Sequence, residues 1–196
     1  MLIENMCNVI LNKNPGENIT LLNIVLIILM IGADQLTKIL TDSSIAAGTS
    51  IPLIPKVLEL TNVHNNGAAW GMMSGGRWFF IILTIIVCAL LIYILFSKKY
   101  CLTKLAHAAF LLVLGGAIGN LVDRIFLGYV RDMIFVSCIN FPVFNVADSC
   151  VTIGACLLIL DTIINKKNSF FGKLDESSKK SNNKKSESET EKEIAE

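Results

Sequence analysis

The stretch Trp78 to Phe96, WFFIILTIIVCALLIYILF, carries no charge at all. A helix needs roughly 20 residues to cross the hydrocarbon layer of about 30 Å. Inside that layer each backbone N–H and C=O must find its partner within the segment. A membrane-spanning helix is therefore the first expectation. Leu105–Val122 is a second such run, and Val146–Ile164 a third, interrupted by Asp148 and Asp161. Leu21–Leu40 is apolar only as far as Ala33, so it spans only if Asp34, Gln35 and Lys38 lie in the membrane or at its edge. A cleaved signal peptide is the rival for that first segment. Ile31 is poorly suited to a small-residue cleavage pattern, and Lys13 is the one basic residue ahead of it. Composition agrees with the membrane class: 53% of the 196 residues are hydrophobic, and mean hydropathy is +0.61. The length suits one domain.

Four spans put both chain ends on one side. Lys13, the Lys98/Lys99/Lys104 loop and Lys166/Lys167 would share that side, while the opposite loops carry only Lys56, Arg77 and Arg131. Positive charge stays inside, which favours N-in/C-in. The expected organisation is a cytoplasmic extension at 1–20, a four-helix membrane domain at 21–165 and a polar cytoplasmic tail at 166–196. That tail is rich in Ser, Lys and Glu and has too little to bury to order itself. Between the first two helices, IPLIPKVLELTNVHNNGAAWG reads as short extended segments broken by Pro and closed by an Asn-Gly turn. The fold class is thus all-α integral membrane, with a small strand-rich element on the outer surface between helices 1 and 2.

In that orientation Asp34, Lys38, Asp123, Arg124, Arg131, Asp132 and Asp148 converge on the outer face. An ionisable residue at the centre of a span costs about 2.5–3.5 kcal/mol, less toward the interface. Each one needs a reason, and several admit two. Asp34 and Lys38 share a helix face and form either a structural ion pair or part of a site. Asn120 and Arg124 lie one turn apart; Arg124 either serves a site or reaches for the interface. Asp123 reads as the local partner of an arginine. Asn145 and Asp148 have capping-box spacing, in which Asp148 merely favours the positive end of its helix.

Asp148 also lies at the depth of Asp132. Two carboxylates at close range cannot both ionise easily, so one keeps a proton near neutral pH. The ionised member takes a proton from water while the other polarises a carbonyl. That is aspartic-type peptide hydrolysis, although spacing alone leaves the pairing open. Other chemistries find little support. The six cysteines form no CxxC pair, and Cys88, Cys150 and Cys156 sit in apolar runs as small hydrophobes. His64 and His107 are too scattered for a metal site. No cofactor and no nucleic acid is expected. Gly115 and Gly119 form a GxxxG, read as close helix packing.

Taken in order, DQLTK (Asp34–Lys38), NNGAAWG (Asn65–Gly71), GGAIGNLVDRIFLGYVRDMI (Gly115–Ile134) and FPVFNVADS (Phe141–Ser149) resemble the lipoprotein signal peptidases, also called signal peptidase II. The resemblance covers Leu21 to Asn165. It implies an aspartic endopeptidase of the bacterial cytoplasmic (inner) membrane with its site toward the extracytoplasmic face. Its substrates would be diacylglyceryl-modified prolipoproteins, cut immediately before the lipidated cysteine. By motif position, Asp132 and Asp148 would be catalytic, and Asp34, Lys38, Asn65, Asn120, Arg124 and Asn145 would support the site. Trp70 stands where the family usually has Phe. A monomer in contact with membrane lipid is the economical expectation. Two other classes remain in view. An ion or proton carrier needs polar groups at several depths, and the inner half offers Asp161 alone, about 20 Å of helix below Asp148. A scaffold would tolerate loss of Asp132 or Asp148.

Overall fold

Four helices carry most of the described residues: α1 (Gly16–Ser44), α2 (Arg77–Phe96), α3 (Lys104–Phe126) and α4 (Val146–Asn165). They come from a computed structural model that describes residues 16–67, 75–97, 100, 102–166, 169–172 and 174. All four are long and apolar enough to cross a membrane. Their outward faces are apolar too. Leu21, Leu29, Ile82, Ile86, Ile159 and Ile163 are all more than half exposed, a pattern that suits lipid rather than water. The N-terminal extension up to residue 15 and the polar tail from 175 onward lie outside the described residues, as does Trp70.

Helix α1 begins at Gly16, ahead of the expected Leu21, and runs unbroken through Asp34 and Lys38. Helix α3 packs against each of the other three helices. Its small-residue stripe makes this close approach possible. A β-carbon on Gly115 would meet the Met30 side chain at 2.8 Å, and one on Gly119 would meet Asp34 Oδ2 at 2.7 Å. On Gly116 it would collide with the carbonyl oxygen of Ala147, the second residue of α4. The GxxxG expectation therefore holds for packing, but Gly116 between its two glycines bears the tightest contact.

Toward the other end, Cys88, Leu91, Ile94, Ala106, Phe110 and Leu114 form the apolar core, and Phe170 completes it. The polar reading of 166–196 did not anticipate this contact. Phe170 is drawn in by edge-on packing against Tyr100 and Phe110, at 5.6 and 5.1 Å between ring centroids. At the same end Asp161 accepts from Thr103, the N-cap of α3, and from Asn165. His107, one turn beyond that cap, has its Nε2 3.1 Å from Asn23 Oδ1 of α1.

Three antiparallel strands, β1 (Ser50–Ile54), β2 (Leu58–Asn65) and β3 (Val130–Phe135), form one sheet in the order β1-β2-β3. The β1–β2 hairpin is the expected strand-rich element. The third strand is a departure, because the connection between α3 and α4 read only as a loop. Its first four residues are all buried against α1 and α3, so it lacks the period-two alternation by which a strand announces itself. Gly128, at φ +89°, makes the turn from α3 into β3. Beside it Arg77 donates to the carbonyls of Arg124 and Ile125 at 2.9 and 2.8 Å, satisfying the end of α3.

These contacts predict different fates for two glycines. Gly116→Ala should lower the melting temperature in detergent by several degrees, because the α4 backbone cannot yield. Gly32→Ala, with nothing within 4 Å of the added carbon, should leave it unchanged or slightly higher. Thermal unfolding of both variants checks this.

Candidate active site

At one end of the bundle α1, α3 and β3 close on a network of buried charges. Lys38, fully buried, lies 2.9 Å from Asp34 Oδ2 and 3.5 Å from Asp123 Oδ2. Asp123 in turn holds Arg131: Oδ1 receives Nη2 at 2.8 Å, and Oδ2 receives both the backbone N–H and Nε. Gln35 closes the loop, donating to Asp123 Oδ1 at 3.1 Å and accepting from Arg131 Nη2 at 2.9 Å. Two acids face two bases, so the unit is neutral as a whole. Asp34 Oδ1 also accepts the backbone N–H of Ala147 at 2.9 Å, tying the start of α4 to α1.

This unit supports two further carboxylates. Asp132 follows Arg131 on β3, and Asp148 lies in the first turn of α4. Asn145 joins them. Its side-chain nitrogen donates to Asp132 Oδ1 at 2.6 Å, and its side-chain oxygen accepts the Asp148 N–H at 2.9 Å. The reciprocal bond, Asn145 N–H to Asp148 Oδ2 at 3.1 Å, completes a capping box. Asn120 bonds the other Asp148 oxygen, donating to Oδ1 at 2.7 Å. The Asn120 amide oxygen accepts from Lys38 at 2.9 Å and from Asn145 at 3.1 Å. Asn65, at the end of β2, donates to Asp132 Oδ2 at 2.9 Å. Each of the four carboxylate oxygens thus has an N–H donor, and each retains a second lone pair for a proton or water.

Asp132 is 3% exposed. Burial pushes its carboxyl up to about 6; donation from Asn65 and Asn145 opposes the rise, and the charge of Asp148 adds to it. Arg131 moves the other way from neutrality, held more firmly charged by its bonds to Asp123.

All eight residues singled out from the sequence meet at this end of the bundle. Asp34 and Lys38 form the ion pair suggested by their spacing. Asn145 and Asp148 form the capping box. Arg124 lies over the Phe80 ring, 5.0 Å from its centroid, with Nη2 3.4 Å from the Gly67 carbonyl. It is only partly buried and within electrostatic reach of Asp148 and Asp132. The sequence reading passed over Gln35 and left the arginine partner of Asp123 unassigned. Gln35 carried a signal, being a polar residue between two charges in an apolar helix. The Asp123–Arg131 contact carried none, since it depends on β3 folding back against α3. Among the described residues no group of His, Cys, Asp and Glu could hold a metal ion.

A family model described as signal peptidase (SPase) II matches residues 26–164. The lipoprotein signal peptidase of Enterococcus faecalis (strain ATCC 700802 / V583) is 41% identical over 145 residues, which is 74% of this chain and 89% of that protein. Two solved structures of a bacterial membrane enzyme, obtained by the in meso method, share the fold. The one at 2.3 Å gives a TM-score of 0.67 at 36% identity, over 75% of this chain and 92% of its own. The one at 1.9 Å gives 0.66 at 36% identity, over 74% and 93%.

The raised Asp132 carboxyl has a consequence for stability. Its pKa is about 6 in the fold against 3.8 for a free aspartate carboxyl, so the folded state holds the proton more tightly. The stabilisation is fully present below pH 3.8 and is lost as pH rises through 6. On passing from pH 7.5 to pH 5, the wild type should gain roughly 1 kcal/mol relative to Asp132→Asn, which has no carboxyl to titrate. Paired thermal melts in detergent at the two pH values measure it; a constant difference would refute the assignment.

Proposed function

Because this chain belongs to the signal peptidase II family, we propose that it removes signal peptides from diacylglyceryl-modified prolipoproteins through Asp132 and Asp148. Family membership makes it a membrane protease of lipoprotein processing. The finer assignment is supported above all by one observation: a buried carboxylate, Asp132, and a partly buried one, Asp148, linked through Asn145, with an N–H donor on every oxygen.

The charge balance favours a single shared proton. The neighbouring unit of Asp34, Asp123, Lys38 and Arg131 is neutral, which leaves Arg124 to offset one negative charge on the pair. One aspartate is then ionised and the other protonated. The ionised carboxylate takes a proton from water as the water oxygen attacks the scissile carbonyl. The protonated one gives its proton to the carbonyl oxygen, producing a neutral gem-diol. Collapse re-forms the carbonyl and breaks the C–N bond: the carboxylate now ionised takes a hydroxyl proton of the gem-diol, and the carboxyl now protonated gives its proton to the departing amine of the lipidated cysteine. No acyl-enzyme forms. Asn145 and Asn120 fix the two carboxylates, and preorganised donors of this kind need no rearrangement as charge shifts.

The same reading puts both termini in the cytoplasm, the bundle in the bacterial inner membrane, and the dyad at the extracytoplasmic face. There a lipid-anchored substrate presents its scissile bond beside the headgroups and water reaches the site. The chain acts as a monomer with the four-helix domain at 21–165 as the catalytic unit. A carrier is less well supported. The inner polar groups around Asp161 and His107 are separated from the dyad end along α3 by buried Phe110, Leu111 and Leu114.

Two measurements test this reading. Purified protein should cleave a diacylglyceryl-modified prolipoprotein just before its lipidated cysteine, as followed by mass. Asp132→Asn and Asp148→Asn should each lose on the order of 10²–10⁴-fold or more in kcat while still inserting; normal turnover by either removes it from the dyad. For topology, Cys138 is free and exposed beyond β3. As the sole cysteine it should react with a membrane-impermeant maleimide in intact cells, whereas Cys101, between α2 and α3, should react only after lysis.

A further inference from the structure

Asp132 serves two surroundings. Its carboxylate meets Asn145 on the α4 side, and it also lines a cleft of about 420 Å³, within the range of roughly 300–1,000 Å³ common to ligand sites. One part of the lining is polar, with His64, Asn65 and Asn66 at the end of β2; another is apolar, with Phe135, Phe141 and Pro142. None of the lining residues belongs to α1, α2, α3 or α4. Helix α3 has ended at Phe126 and α4 starts at Val146, so the cleft is built by the sheet and the α3–α4 connection outside the four spans. Asp148, by contrast, sits in the first turn of α4. The path from Asp148 to Asp132 to the cleft therefore leads out of the helices.

This inference rests on the peptidase reading above. A signal peptide enters such a site from the membrane, so the residues before the scissile bond lie on the α4 side. We infer that the cleft receives the first residues after the lipidated cysteine, held as a neutral, extended peptide. The direction of the chain and the chemistry of the lining both carry this. Asn66 and Asn140 offer amide donors and acceptors, which suit a peptide backbone and small polar side chains. The phenyl rings and Pro142 offer an apolar surface for the other side of an extended strand.

The lining also selects against charge. Among the described residues its one acid is Asp132, and it contains no Lys or Arg. His64 is engaged elsewhere: its Nε2 lies 3.0 Å from Asp42 Oδ1, and its ring stacks on Tyr129 at 4.1 Å between centroids. An acidic residue entering the cleft would face Asp132 with no Lys or Arg among the described lining residues to answer it, and would lose its water. Phe141 is the specificity residue easiest to probe, since it is 47% exposed and lies outside the dyad's hydrogen bonds.

Three diacylglyceryl-modified peptides with one signal sequence provide the test. One continues past the cysteine with neutral polar residues, one carries Asp at the second position after it, and one ends at the cysteine as an amide. With wild-type protein in detergent, the Asp peptide and the truncated peptide should each show KM raised about tenfold at similar kcat, equivalent to 1.4 kcal/mol of binding. Phe141→Ala should raise KM for the long neutral peptide and leave the truncated one unchanged. Equal efficiency on all three peptides overturns the cleft assignment while leaving the peptidase reading intact. So does a Phe141→Ala effect of the same size on long and truncated substrates. Cleavage of none of the three overturns the peptidase reading and this inference with it.

Discussion

A lysine ammonium with no exposure to solvent, set against two aspartates, is the constraint on which the rest of the structure depends. Lys38 could not enter a span alone, and neither could Asp34 or Asp123. Together, and with Arg131 and Gln35, they make a neutral unit whose members come from α1, α3 and β3. Breaking such a unit by removing one partner costs about 3–5 kcal/mol, because the remaining charge is left buried without compensation. The network therefore fixes where α1 lies against α3. It also fixes where β3 returns, because the Arg131 backbone N–H is itself one of the bonds to Asp123. The residue following that bond is Asp132.

The same atoms serve local structure and the site at once. Asn145 and Asp148 are a helix cap by every geometric criterion, and a cap is all that their spacing suggests. In the fold the capping bonds use one Asp148 oxygen and the Asn145 side-chain oxygen, which leaves the Asn145 side-chain nitrogen to hold Asp132 and the second Asp148 oxygen for Asn120. The cap and catalytic readings of Asp148 are thus compatible. Helix α4 begins where it does because of these residues, and its start is held against α1 by the Asp34–Ala147 bond. The glycine stripe on α3 lets that start come close, since Gly116 has the Ala147 carbonyl where a side chain would be.

Local chemistry made much of this legible. The uncharged run at Trp78–Phe96 and its counterparts gave the helices, within a few residues of their ends. The polar interruptions pointed to one end of the bundle as the place where they gather, because hydrocarbon tolerates such residues best when they meet one another. Other features were hidden for identifiable reasons. Strand β3 has no alternation to read, since it is buried on both faces. Phe170 lies in a segment whose composition is polar on average, and its burial depends on Tyr100 and Phe110 being in place. Gln35 was visible as an oddity in α1, yet its partners are some ninety positions away, on α3 and β3.

What the sequence determined by itself is the set of membrane-compatible helices, the Asn145–Asp148 cap and the Asp34–Lys38 pair. Each depends on interactions within a few residues, where spacing fixes geometry. The tertiary structure alone decided that Asn120 and Asn145 bridge the two aspartates, that Asp123 takes Arg131, and that Asn65 reaches Asp132. Those contacts join residues far apart in the chain. Their geometry follows from helix packing and strand register, and neither is encoded in any single stretch.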